Sequence, residues 1–238
     1  MVPDLCRNLL SRQIPLMKAS VMMVIFFLLM AGFKTQGEDL GSWNILHLRH
    51  KLNDRFSLFA ESQLRSLKTY SHFHYYEYKG GLQFKLNPAL TFVLGAGSYQ
   101  TYAEGGNFIT PKNNDEFRLW PQIVLNQSVG PFKIEQRYRA ELRWTSRGYR
   151  NRFRYRVGLS YPFGFKSNQE KRWQVGINNE LFFTDREPYF ERNRLQGNLS
   201  YKITKNLTLQ TGYLHQFDYR INDETGRDFM IMGVFIDL

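Results

Sequence analysis

Residues 132–163 read FKIEQRYRAELRWTSRGYRNRFRYRVGLSYPF, and the fold is decided there. Phe132, Ile134, Tyr138, Ala140, Leu142 and Trp144 fall on one face of a two-residue alternation, with Gln136 as its one polar member. Lys133, Glu135, Arg137, Arg139, Glu141 and Arg143 fall on the other. After a polar break at 145–150, Phe153, Tyr155, Val157, Leu159, Tyr161 and Phe163 point one way, and Arg152, Arg154 and Arg156 point the opposite way. Side chains of a strand alternate between faces, so the stretch is a β-hairpin with one aromatic and one charged face. In a soluble sheet such an apolar face needs a core, whereas a membrane barrel turns it to lipid and keeps the ions inside.

Composition agrees with that reading. The chain has 238 residues, 42% hydrophobic and 16% aromatic, and a mean hydropathy of −0.46. Such a polar average excludes a helical membrane protein but suits a barrel, in which only alternate residues meet lipid. Residues 1–37 read as a cleaved signal peptide: Arg7, Arg12 and Lys18 precede an apolar run from Ala19 to Phe33, and small residues follow near Gly37. The only cysteine, Cys6, lies in this segment, so a mature domain spanning 38–238 has no thiol for disulfide, zinc or nucleophile chemistry. Net charge is +11, and residues 1–37 carry +3 of it. The arginines alternate with apolar residues on strands and do not line an exposed helix or arm. Outer-membrane lipid and small anionic solutes are therefore the expected partners, and nucleic acid is not.

Working outward, eleven strand-like segments are expected, at about 43–52, 55–66, 74–86, 90–102, 116–129, 132–145, 151–163, 172–184, 192–203, 207–220 and 228–238. Most are longer than the ~5–6 residues of soluble strands and match the ~9–11 needed to cross a bilayer at a tilt. One turn recurs: Lys51-Leu52-Asn53, Lys85-Leu86-Asn87 and Lys202-Ile203-Thr204 each precede a new apolar segment. These breaks, with those at Gly130-Pro131 and after Gly164, read as short. Those at 68–73, 103–115, 145–150, 185–191 and 221–227 read as longer and polar. Alternating short and long connections place the short turns and the C-terminus in the periplasm. The expectation is an all-β, antiparallel up-and-down transmembrane barrel of about 10–12 strands in the bacterial outer membrane. Eleven strands raise a parity problem, because the first would then start on the outside. Either Gly37 to Ser42 threads the lumen, or the count is ten or twelve.

Several of these features also resemble a known family. The Trp43 opening, the Lys51-Leu52-Asn53 turn with Phe56-Ser57-Leu58, Glu61 and Arg65, the ladder from Glu135 to Arg143, and the run through Asn193-Arg194, Tyr201, Leu207 and Tyr213 are similar to the bacterial domain-of-unknown-function 2490 family. The resemblance covers essentially all of the mature chain. It implies an outer-membrane β-barrel and supplies no catalytic residues. The ending Phe235-Ile236-Asp237-Leu238 departs from the aromatic terminus common in such barrels.

The strongest chemical feature is a set of charges on the non-lipid face: Glu61, Arg65, Glu77, Lys79, Arg118, Glu135, Arg137, Arg139, Glu141, Arg143, Arg152, Arg154, Arg156, Glu180, Arg192 and Arg194, with Lys202 continuing the pattern. Buried charges must be paired or wet, so the set reads as a salt-bridge plug first and as an anion-selective channel lining second. Tyr75, Tyr76, Tyr78, Tyr99, Tyr102, Trp120, Trp144, Tyr149, Tyr161 and Trp173 lie toward segment ends and read as interfacial girdles. His47 with His50, and His72 with His74, lack a third ligand, so neither metal nor cofactor is expected. The loop 103–115 reads as solvated, with ligand contact as the alternative. An enzyme acting on lipid or glycan is the third functional class. It would need facing strands to join residues such as His215 and Ser200. A largely closed, non-enzymatic barrel is the leading expectation, with a small anion or polar-solute channel second.

Overall fold

The computed structural model describes residues 40–164, 171–219 and 224–238. The signal-peptide reading and Cys6 lie outside the described residues. All regular structure among the described residues is β. The strands are β1 (Gly41–Lys51), β2 (Phe56–Lys68), β3 (Ser71–Asn87), β4 (Leu90–Ala103), β5 (Ile109–Val129), β6 (Phe132–Thr145), β7 (Gly148–Phe163), β8 (Trp173–Thr184), β9 (Phe190–Lys202), β10 (Leu207–Asp218) and β11 (Thr225–Asp237).

Each strand pairs antiparallel with its sequence neighbours, and the sheet closes into a barrel through β1 and β11. That last pair is parallel, in register from Gly41↔Phe229 to Arg49↔Asp237. The count of eleven therefore stands, and parallel closure removes the parity problem without a missing or extra strand. β1 and β11 both run from one rim, holding Gly41, to the other, holding Leu238. We call these the Gly41 rim and the C-terminal rim.

The recurring turn has a simple local cause. At the C-terminal rim the Asn53 side chain accepts hydrogen bonds from the backbone N–H groups of Arg55 and Phe56, both at 2.9 Å. Asn87 Oδ1 does the same for Ala89 N–H at 2.9 Å, and Thr204 Oγ1 for Asn206 and Leu207 N–H at 3.1 and 3.0 Å. Short side-chain acceptors at these positions mimic a backbone turn and fix the register of the hairpin. Gly130 supplies the positive φ (57°) that the two-residue β5–β6 connection needs.

The alternation of short and long connections does not survive. Residues 69–70 and 146–147 are two-residue connections at the Gly41 rim, as short as 88–89 and 130–131 at the opposite rim. Polar stretches that read as loop continue the ladder, as in Thr101↔Asn114 and Arg143↔Arg150. Polarity there reports exposure to water beyond the apolar belt. It does not end the strand.

Alternation sorts the side chains into two surfaces. Leu46, Leu58, Leu82, Phe92, Leu94, Phe117, Ile123, Tyr138, Phe153, Val157, Ile177, Leu209 and Met232 are exposed, and all stand on the outward face of their strands. Gln136, the polar exception, accepts hydrogen bonds from the Tyr138 and Tyr155 hydroxyls at 3.1 and 3.2 Å, so its carbonyl is not left bare on that surface. The inner surface combines ions with rings. Gly95 has no side chain because the Trp120 ring lies where one would be, 2.4 Å from an added Cβ.

Candidate functional site

The site is the lumen, which encloses a cavity of about 870 Å³. Fifteen of the sixteen charged residues expected on the inner face line it, and Glu141, the sixteenth, is 1% exposed among their guanidinium groups. Lys202, by contrast, sits exposed at the end of β9.

Carboxylates divide the arginines among themselves. Glu180 on β8 accepts from Arg137 on β6 and from Arg154 on β7, the latter through Nη2 at 2.8 Å. Glu141 lies 2.7 Å from Arg154, 3.4 Å from Arg139, and 3.7 Å from each of Arg118 and Arg152. Glu77 holds Lys79 at 2.6 Å and Arg65 at 3.1 Å, and Glu61 holds Lys79 at 2.5 Å. Arg156 pairs with Glu135. The register makes these bridges necessary: Arg137 is opposite Arg156, and Arg139 is opposite Arg154, on the same face of neighbouring strands. Like charges so placed repel unless a carboxylate lies between them.

Four members of the network were not anticipated. Glu116 receives Arg118 Nε at 2.7 Å and also pairs with Arg143. Glu191 pairs with Arg152, Asp218 with Arg192, and His47 Nδ1 lies 2.9 Å from Glu61. Glu116 has the same parity as Arg118, and Asp218 the same as Gln216, so continued alternation would have found both. Glu191 was masked by its polar neighbours, which read as loop.

Rings form the second part of the lining. Tyr75, Tyr99 and Trp120 pack together as a buried cluster inside the barrel, and Trp43, Leu214, Phe229 and Ile231 form another. The girdle assignment is therefore corrected for Tyr75, Tyr99 and Trp120. Their strand positions share the parity of the charges, and guanidinium groups cover their faces: Arg65 lies 4.1 Å from Tyr75, Arg118 3.7 Å from Tyr99 and Arg139 5.0 Å from Trp120. Such stacking lets an arginine lie against an apolar wall while keeping its charge stabilised. Trp144 and Tyr149 do stand outside, 5.5 Å apart. At the C-terminal rim Phe132, Tyr161, Phe163, Trp173 and Tyr201 make a continuous outer row, with centroids 4.5 to 6.4 Å apart.

Burial is uneven along the axis. Toward the Gly41 rim most lumen residues are buried, among them Arg65, Glu77, Glu116, Arg118, Arg143, Arg152, Phe182, Gln216 and Phe229. Toward the C-terminal rim Glu135, Arg137, Arg156, Asn178, Gln196 and Gln210 are partly exposed, and Asn126 is exposed. The lumen is thus packed in one half and widens into a vestibule in the other.

The pairing of Ser200 with His215 is excluded by geometry. Ser200 shares the inward parity of Arg194, whereas His215 is outward on β10, 2.7 Å from Asp228 on β11. The loop expected at 103–115 shrinks to 104–108, since β5 begins at Ile109.

A family model described as "Protein of unknown function (DUF2490)" matches residues 40–227. No curated protein matches the chain.

Proposed function

Since the chain belongs to the DUF2490 family, whose description assigns no activity, we propose from its architecture that it is a bacterial outer-membrane barrel, structural and non-enzymatic, whose lumen is closed by its own ion network. The observation that carries this reading is the half of the lumen toward the Gly41 rim, where most of the paired ions and aromatic rings are buried. Membrane insertion is supported by the outward apolar belt. A contiguous apolar surface of that extent is otherwise a binding or aggregation surface. Strand length supports it as well, with 11 to 21 residues per strand against the ~9–11 that a tilted crossing needs. The outer aromatic row at the C-terminal rim has the placement of an interfacial girdle. Export would use residues 1–37 as a signal peptide, and the barrel's partner is then membrane lipid.

The test is single-channel conductance of the refolded mature chain in a planar bilayer, with a salt gradient to read ion preference. A protein shown to be folded should stay silent. Discrete steps would overturn closure and favour a second reading, a small diffusion channel for anions. One observation favours that alternative. Among the described residues thirteen cations line the lumen cavity (Arg49, Arg65, Lys79, Arg118, Arg137, Arg139, Arg143, Arg152, Arg154, Arg156, Arg192, Arg194, Arg227), and nine carboxylates line it or pair with them inside the barrel (Glu61, Glu77, Glu104, Glu116, Glu135, Glu141, Glu180, Glu191, Asp218). Positive excess in a pore favours anions.

A further inference from the structure

Twelve of the thirteen cations that line the cavity have a carboxylate within 4 Å, and among the described residues Arg194 is the one that does not. It is 8% exposed, on β9, and lines the lumen cavity. Its Nε donates to Gln216 Oε1 at 2.9 Å. Its guanidinium carbon lies 4.8 Å from the Trp43 ring and 4.7 Å from the Phe182 ring. Two aromatic walls and one amide orient the group, and Glu180, its register partner across β8, is already engaged by Arg137 and Arg154.

A buried cation without a counter-charge is costly unless an anion completes it. The neighbourhood makes this sharper. Arg65 stacks 3.4 Å from the same Trp43 ring, and Arg154 and Arg192 lie 4.5 and 5.8 Å from the same Phe182 ring. Carboxylates already engage those three within 4 Å, and Arg194 is the member of this group that lacks such a contact. With Nε held by Gln216, the two terminal nitrogens remain as a planar fork, the geometry that takes two oxygens of one phosphate or carboxylate. The cavity has room for more than a bare ion, because about 870 Å³ is within the ~300–1,000 Å³ range of small-molecule pockets. Its walls beyond Arg194 add the neutral amides of Gln63, Asn178 and Gln196, which suit hydroxyl or amide groups. The vestibule that opens toward the C-terminal rim provides the way in.

We propose that Arg194 anchors a binding site, inside the barrel, for a small polar solute bearing an oxyanion, with Gln216 positioning the guanidinium and Trp43 and Phe182 flanking it. The site requires the closed barrel wall but not a closed lumen, so it is independent of whether the protein conducts.

The experiment is isothermal titration of the refolded chain in detergent with inorganic phosphate and, separately, with acetate, at constant ionic strength set by chloride. The folded protein should bind at least one probe saturably, and the better probe identifies the anionic group. Arg194→Gln should weaken that binding by roughly tenfold or more, the usual consequence of removing one partner of a desolvated charge pair. Gln216→Leu, which keeps every charge, should weaken it several-fold and decides the matter if Arg194→Gln does not fold. Absence of saturable binding to folded wild type overturns the site, as does binding that the folded variants leave unchanged. Conductance is read separately: a conducting protein that still binds sinks the closed-lumen reading alone, and a silent one that does not bind sinks this site alone.

Discussion

Glu141 shows how much of the barrel's order depends on single side chains. It is 1% exposed, and four arginines from β5, β6 and β7 lie within 3.7 Å of it. Deleting a carboxylate so placed leaves buried cations that repel one another, which costs more than the pair contributed when intact. Glu141→Gln should therefore destabilise the folded barrel by about 3–5 kcal/mol, seen as a lower midpoint in urea unfolding from detergent. An unchanged midpoint would mean that these arginines are stabilised by water and not by Glu141. Glu135→Gln is the internal comparison, since Glu135 is 41% exposed beside Arg156 and its loss should cost less than about 1 kcal/mol.

Among the elements, the junction of β1 with β11 is the one that alternation could not forecast. Every other pair joins sequence neighbours and is antiparallel. The closing pair has no connection to fix its sense, so an odd count makes it parallel. Leu46 and Val234 are partners on the outer surface of this junction. A Leu46→Cys/Val234→Cys variant of the mature chain, which otherwise has no thiol beyond residue 37, should form an intramolecular crosslink under mild oxidation. The crosslink would appear as a mobility shift that reductant reverses. The pair Leu46→Cys/Leu207→Cys, two strands apart around the wall, should give none. Equal crosslinking in both, or crosslinking in neither with a folded barrel, would refute the parallel junction.

At the scale of the molecule, the orientation expected from the sequence puts the C-terminal rim in the periplasm and the Gly41 rim outside, and we propose it here on a different ground from the alternation of connections. The β4–β5 hairpin supports this sense, because β5 has 21 residues and its polar first part, Ile109 to Asp115, carries the wall beyond the apolar belt at the Gly41 rim. Arg147→Cys, at the β6–β7 connection, should then react with a membrane-impermeant maleimide on intact cells. Asp54→Cys, at the β1–β2 turn, should react only after permeabilisation. The reverse pattern would invert the barrel, and equal labelling of both on intact cells would remove it from the membrane. The sequence left the strand number between ten and twelve; by itself it determined the strands' approximate bounds and which of their residues share a charged face. Both follow from the period of two, which is set by backbone geometry within a few residues and needs no knowledge of distant partners. Only the tertiary structure decided the parallel closure, the inward turn of Tyr75, Tyr99 and Trp120, the recruitment of Glu116, Glu191 and Asp218, and the isolation of Arg194. Those depend on which residues face each other across a closed wall. Pairs such as Trp43 with Arg194, distant in sequence, meet only when the sheet curves shut, and local alternation carries no information about that meeting.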